Sequence, residues 1–276
     1  MTYQKIIVDD PREGVRRITL NRPEKRNPLS NELRTELFDA LQGADQEPDV
    51  RVMVIRGAGP CFSAGYDLAS VSQDQPFYTA GGLGNWPRHV VEGFFRIWDL
   101  AKPVIAQVHG YCLAGGTELA TACDLVYVAE DARIGYPVVR AISPPDNQFY
   151  PWIVGLRRAM ELMLTGDHMS GLEAVECGFA NRAFPEGELE DNVLEIAERV
   201  ARVPTDLQQI NKRAVHRQMD AMGIRAGIRA GTEMQQLATF TKSTQAHLAE
   251  LRKGLTEALS KRDSAFGDYR TETKKS

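Results

Sequence analysis

Residues 109–119, HGYCLAGGTEL, restrict the fold more than any other part of the chain, because an apolar run breaks there into glycines and ends on one carboxylate. Residues 102–108 ahead of it, KPVIAQV, have the pattern of a short buried strand. Residues 119–126 behind it, LATACDLV, are mostly apolar and contain no helix breaker. The pattern predicts a strand, a tight turn and a helix start. At such a junction the first helical N–H groups have no intrahelical partner and point outward. Gly115 and Gly116 allow a ligand to approach that backbone closely, and Glu118 falls in the first helical turn beside the same opening. Donors for a developing oxyanion next to a carboxylate that can move a proton form a catalytic arrangement. The same residues also suit a plain helix start, since a first-turn glutamate is favoured by the helix dipole.

A second segment repeats the design. Residues 51–68 read RVMVIRGAGPCFSAGYDL: Val52, Met53, Val54 and Ile55 predict a strand, closed by Gly57-Ala-Gly-Pro and followed by the small residues around Gly65. Two such turns can each offer one N–H to a single carbonyl oxygen. Elsewhere, Val15–Leu20 alternates as a strand. Ser30 and Asn31 are positioned to cap a helix with the apolar stripe Leu33, Leu37, Phe38 and Leu41. Residues 160–164 and 194–203 read as helices, and the chain from about Thr205 is helical and richly charged, ending in a basic tail with Lys274 and Lys275. Residues 71–89 are the least patterned stretch and carry Phe77, Tyr78 and Trp86.

FSAGYDL at 62–68, KPVIAQVHGYCLAGGTELATACDLVYV at 102–128 and the LTGD…EA…GFANRAFP stretch at 164–185 resemble, in this order and spacing, the crotonase (enoyl-CoA hydratase/isomerase) superfamily over residues 17–269. The resemblance implies an α/β fold, a crotonase-like spiral of ββα repeats with a helical C-terminal region. Residues 1–200 would form the core with the acyl-CoA site. Residues 201–276 would serve oligomerisation, as a homotrimer or dimer of trimers, and cover the coenzyme A site. By the same resemblance the oxyanion donors would be the amides of Tyr66 and Gly115, and Glu118 matches the first hydratase glutamate.

The chain departs from the hydratase pattern at the second glutamate. Ile134-Gly-Tyr136-Pro-Val138 carries valine at that position, and a valine cannot transfer a proton. Eight residues on stands Asp146, near the point where some crotonase relatives, dienoyl-CoA isomerases and 4-chlorobenzoyl-CoA dehalogenase among them, place a working aspartate. Asp146 is therefore the candidate second carboxylate, although Pro-Pro-Asp-Asn is equally a good turn.

Coenzyme A, carried in as part of the substrate with no separate cofactor, needs positive charge for its phosphates. Arg22, Lys25, Arg26, Lys261 and Arg262 are the candidates, each also readable as a solvated surface charge. Phe266 would stand near the adenine, and Ala64 and Asp67 belong with the substrate-binding turn. Phe77, Tyr78, Trp86, Tyr136 and Val138 would line the acyl pocket, and aromatics in such a loop can equally cover the core.

Composition excludes several classes. A hydrophobic fraction of 43% and a charged fraction of 25% over 276 residues are those of a globular protein, and a net charge of −4 argues against nucleic-acid or membrane-surface partners. Cys61, Cys112, Cys123 and Cys177 lack metal-ligand spacing, as do His89, His168, His216 and His247, so no metal is expected. His109 reads as a structural hydrogen-bonding residue. No nucleophile elbow, dinucleotide fingerprint or P-loop is present, and no run reaches membrane-spanning length, so a cytoplasmic enzyme is expected. The expected activity is hydration or dehydration of a 2-enoyl-CoA. Isomerisation or hydrolysis of a thioester or β-diketone is the alternative enzyme class, and a non-catalytic acyl-CoA binder the alternative outside enzymes.

Overall fold

The computed structural model describes residues 3–68, 82 and 84–269. Its strands are, in chain order, β1 (Ile6–Arg12), β2 (Val15–Leu20), β3 (Val52–Gly57), β4 (Val104–Val108), β5 (Tyr111–Leu113), β6 (Leu125–Ala129), β7 (Arg133–Gly135), β8 (His168–Met169) and β9 (Arg182–Phe184). The larger sheet has the order β1-β2-β3-β4-β6-β9, with β1 antiparallel at one edge and the rest parallel. Val52 to Ile55 and all of β4 are buried, as expected where both faces of a parallel sheet are covered. A smaller sheet pairs β5, β7 and β8.

The helices are α1 (Asn31–Gln46), α2 (Asn85–Asp99), α3 (Gly115–Ala122), α4 (Tyr150–Ile153), α5 (Gly155–Thr165), α6 (Gly171–Glu176), α7 (Glu186–Ala201), α8 (Thr205–Ala221), α9 (Ile224–Ala238), α10 (Lys242–Lys253) and α11 (Leu255–Ser264). The Ser30 hydroxyl accepts from the Leu33 N–H at 3.3 Å, so α1 begins at the expected cap and buries Leu33, Leu37 and Leu41. Phe38 is only partly buried. α5 ends at Gly166, which takes φ 69° to close the helix. α7 lies along the large sheet and buries Leu189, Val193, Leu194 and Ala197.

Twice the chain steps from the large sheet to the small one, β4 to β5 and β6 to β7. The first step leads directly into α3. The helical C-terminal region packs back on α2: Ile224 and Ile228 join Val91, Phe95 and Phe149 in a separate apolar cluster. Lys212 on α8 ties to Asp124 at 2.8 Å. Among the described residues, no helix is long and apolar enough to cross a membrane.

Candidate active site

The two glycine turns lie side by side. Ser63 donates its N–H to the Tyr111 carbonyl at 3.0 Å, and Leu113 returns a bond to the Ser63 carbonyl at 3.0 Å. Gly65 has φ 105°, and a Cβ there would stand 2.8 Å from the Ala114 Cβ and 3.3 Å from the Gly115 nitrogen. Only glycine fits so close an approach. Directly after it, the Tyr66 amide has no acceptor among the described residues. Neither has the amide of Gly115, the first residue of α3. Ala114, between β5 and α3, has φ 50° and ψ −121°, a conformation usually left to glycine. It is held by its N–H on the Gly135 carbonyl (3.0 Å) and by the Thr117 hydroxyl on its own carbonyl (2.7 Å).

Glu118 projects from the first turn of α3 and is 1% exposed. The Tyr66 hydroxyl donates to its Oε2 at 2.5 Å, and the Asp146 N–H donates to its Oε1 at 2.9 Å. The Tyr136 hydroxyl and the Asn147 amide are further donors toward it. Burial nevertheless outweighs these donors and pushes Glu118 up to about 7. Asp146 is 3% exposed and is held well above the ordinary carboxylate range by burial first and then by Glu118, with Arg34 opposing. Its Oδ1 has no hydrogen-bond partner among the described residues.

Arg34 brings a buried cation to this group from α1. Its guanidinium lies 5.4 Å from the Trp86 ring centroid, its Nη1 reaches Asn31 at 3.4 Å, and its charge acts on Tyr66, Asp146 and Glu118. Trp86 in turn meets Tyr66 edge-on at 5.5 Å.

A cavity of about 420 Å³ opens on this network. Tyr66, Trp86, Tyr136 and Asp146 line it at the carboxyl end, Leu113, Ala114, Pro137, Val138 and Ile142 give it an apolar wall, and Arg26 and Arg262 bring positive charge. Glu118 is not among the lining residues, but Tyr66, Tyr136 and Asp146, which donate to it, are.

A sequence profile described as enoyl-CoA hydratase/isomerase matches residues 10–269. The chain belongs to the enoyl-CoA hydratase/isomerase family. Superposition on the crystal structure of an enoyl-CoA hydratase from Mycobacterium smegmatis gives a TM-score of 0.89 at 29% identity, covering 100% of this chain and 99% of that one. The chain is 36% identical over 206 residues to a peroxisomal Delta(3,5)-Delta(2,4)-dienoyl-CoA isomerase of Arabidopsis thaliana, covering 70% of this chain and 74% of the relative. It is 34% identical over 211 residues to 4-chlorobenzoyl coenzyme A dehalogenase-1 of an Arthrobacter species, covering 74% and 75%. The family resemblance and the crotonase-type α/β fold expected from the motifs are therefore correct.

In this family member the predicted residues fall into two groups. Tyr66, Gly115, Glu118, Asp146, Tyr136 and Val138 converge, with Ala64, Asp67, Trp86, Arg26 and Arg262 on the cavity wall. Arg22, Lys25, Lys261 and Phe266 are not among the residues that line the cavity. Arg22 is paired with Asp67 at 2.7 Å, Lys25 lies in a short 3-10 turn, and exposed Lys261 stands 3.8 Å from Glu250. Phe266, half exposed, has the Arg140 guanidinium 3.8 Å from its ring centroid. Arg26 lies over the Tyr111 ring at 5.2 Å, and Arg262 pairs with Asp263 through two contacts of 2.8 Å. Phe77 and Tyr78 lie outside the described residues. His109 Nε2 contacts the Gly59 carbonyl at 2.8 Å.

Sequence reasoning missed the Tyr66 side chain, the Tyr136 hydroxyl and Arg34. A signal existed for two of them. Arg34 is a charged residue one step from Leu33 on the apolar stripe of α1, and Tyr66 is the one large side chain among Ser63, Ala64 and Gly65.

Proposed function

We propose that the protein processes an acyl-CoA thioester through an enolate, with hydration and dehydration of a 2-enoyl-CoA as its reaction. The observation that carries this reading is Glu118: a buried carboxyl pushed up to about 7, bonded to Tyr66, whose own amide and that of Gly115 are without acceptors beside it. A group titrating near neutrality serves equally as proton acceptor and donor. Two amides with no acceptor suit the oxygen on which charge develops.

In this reading the thioester oxygen accepts from the Tyr66 and Gly115 amides. Ionised Glu118 takes the proton of the attacking water by way of the Tyr66 hydroxyl while the water oxygen bonds to the β-carbon. Asp146, whose carboxyl burial holds well above the ordinary carboxylate range, gives its proton to the α-carbon. The site is restored when the proton gained at Glu118 reaches Asp146. Val138 supplies only hydrocarbon, so Asp146 is the second carboxyl of the site. Arg26 is the cavity cation available to the phosphates of coenzyme A, while Arg262 is paired with Asp263 and Arg22 with Asp67.

Isomerisation of a double bond is the second reading, favoured by the adjacency of Glu118 and Asp146 with valine at the usual second position. It needs the same enolate and no water. Identification of the product from crotonyl-CoA separates the outcomes: the 3-hydroxybutanoyl ester is expected, the 3-butenoyl ester indicates isomerisation, and release of free thiol indicates hydrolysis. Glu118→Gln is expected to lower the rate by at least about 10²-fold. Full activity in that variant contradicts the mechanism.

A further inference from the structure

α1 carries a charge where its apolar stripe turns inward. Ser30 caps the helix, and Leu33 and Leu37 are buried in the core. Arg34, one residue on from Leu33, is drawn inside with them and is 2% exposed. Its Nη1 donates to Asn31 at 3.4 Å, while Nε and Nη2 have no hydrogen-bond partner among the described residues. Two rings flank the guanidinium, Phe38 with its centroid at 5.9 Å and Trp86 at 5.4 Å. Trp86 meets Tyr66 edge-on at 5.5 Å, and Tyr66 is bonded to Glu118.

A guanidinium keeps its charge in a protein, and burying one is costly unless opposite charge lies near. Tyr66, Tyr136 and Tyr150 are buried and held above the usual phenol range, so they are neutral. His89 on α2 is lowered to about 4, by burial first and then by Arg34 and Arg96, so it too is neutral near pH 7. Among the described groups whose charge acts on Arg34, that leaves Asp146 and Glu118, and the Asp146 amide is bonded to Glu118 at 2.9 Å. With both carboxyls ionised, two neighbouring like charges repel. With both protonated, the guanidinium has no counter-charge. One proton between the two carboxyls balances the group.

We propose that Arg34 is a positioning residue of the reaction: its buried guanidinium holds Glu118 and Asp146 at one negative charge between them, one carboxyl ionised and the other protonated. The inference rests on the acyl-CoA reading above, which starts from that charge state. An ionised Glu118 takes the proton of water, and a protonated Asp146 gives one to the α-carbon. Arg34 does not line the cavity, so it acts on the two carboxyls and not on the substrate. A neighbouring cation favours the ionised form, and removing it raises the pH at which Glu118 loses its proton.

Infrared difference titration of the full chain reads the carboxyl directly and needs no substrate; the Glu118 signal is the one lost in Glu118→Gln. Its midpoint in the unaltered protein is expected at about 7. The neutral variants Arg34→Met and Arg34→Gln are expected to raise it by at least about one pH unit, and Arg34→Lys, which keeps the charge, to leave it within about half a unit. The acid limb of the rate with crotonyl-CoA is expected to move with the midpoint. A residue that only fills space between Trp86 and Phe38 lowers Tm and leaves the midpoint in place. An unmoved midpoint in a neutral variant with the circular dichroism of the unaltered protein overturns the inference and leaves the acyl-CoA reading standing. So does a midpoint raised by about a full unit in Arg34→Lys, which needs no neutral variant to fold. A Glu118 midpoint in the ordinary carboxylate range in the unaltered protein overturns both.

Discussion

At Glu118, burial and hydrogen bonding push in opposite directions, and their balance near 7 depends on few donors. The Tyr66 hydroxyl bond is shorter than that of the Asp146 N–H, and it stabilises the ionised carboxylate. Tyr66→Phe removes that donor and keeps the backbone amide. Glu118 then rises above 7, and a rate that needs its ionised form is lost at a higher pH as the pH falls. The pH–rate profile of Tyr66→Phe is expected to have its acid limb displaced to higher pH, with about a tenfold loss at pH 7 for each unit of displacement. An unmoved limb shows that the Tyr66 hydroxyl does not set the titration of Glu118. Arg34 works in the same direction on Asp146 from the other side, as the one charge that lowers it.

Between elements, the decisive junction is β5 to α3, where Ala114 occupies a backbone conformation that costs a non-glycine residue about 1–3 kcal/mol. The glycine turns on either side fix it there. Ala114→Gly relieves the strain, offset in part by the larger entropy of the unfolded chain. A net gain of about 1 kcal/mol is expected, read as a higher Tm; a lower Tm shows that the Ala114 methyl is needed for packing against Gly65. This junction was legible from residues 102–126 because apolar periodicity, paired glycines and a first-turn glutamate are all local signals. So was α1, marked by Ser30 and its stripe. The partners of Glu118 were not. Asp146 is 28 residues away and Tyr66 52, so their meeting depends on the pairing of β5 with β7 and of Ser63 with Leu113.

Over the whole molecule, apolar side chains remain on the C-terminal helices. Ile210, Val215, Met234, Leu237 and Phe240 are each more than half exposed. Such a surface on a chain this size suits burial against other copies. Light scattering is expected to give the mass of a trimer or hexamer, and Ile210→Glu together with Val215→Glu to reduce it; a monomer at micromolar concentration contradicts that assignment. The large sheet, the small sheet and the helical region each contribute one part of the site. β3 and β5 lead to the two amides, the segment after β7 delivers Tyr136 and Asp146, and α9 and α11 close the cavity with Gln235 and Arg262. The most direct test of the enolate chemistry is exchange at the α-carbon, where Asp146 moves the proton. Incubated with 3-hydroxybutanoyl-CoA in D₂O, the protein is expected to incorporate deuterium at the α-carbon, at a rate at least about 10²-fold lower in Asp146→Asn. No incorporation by the unaltered protein, or equal incorporation by both, contradicts the account.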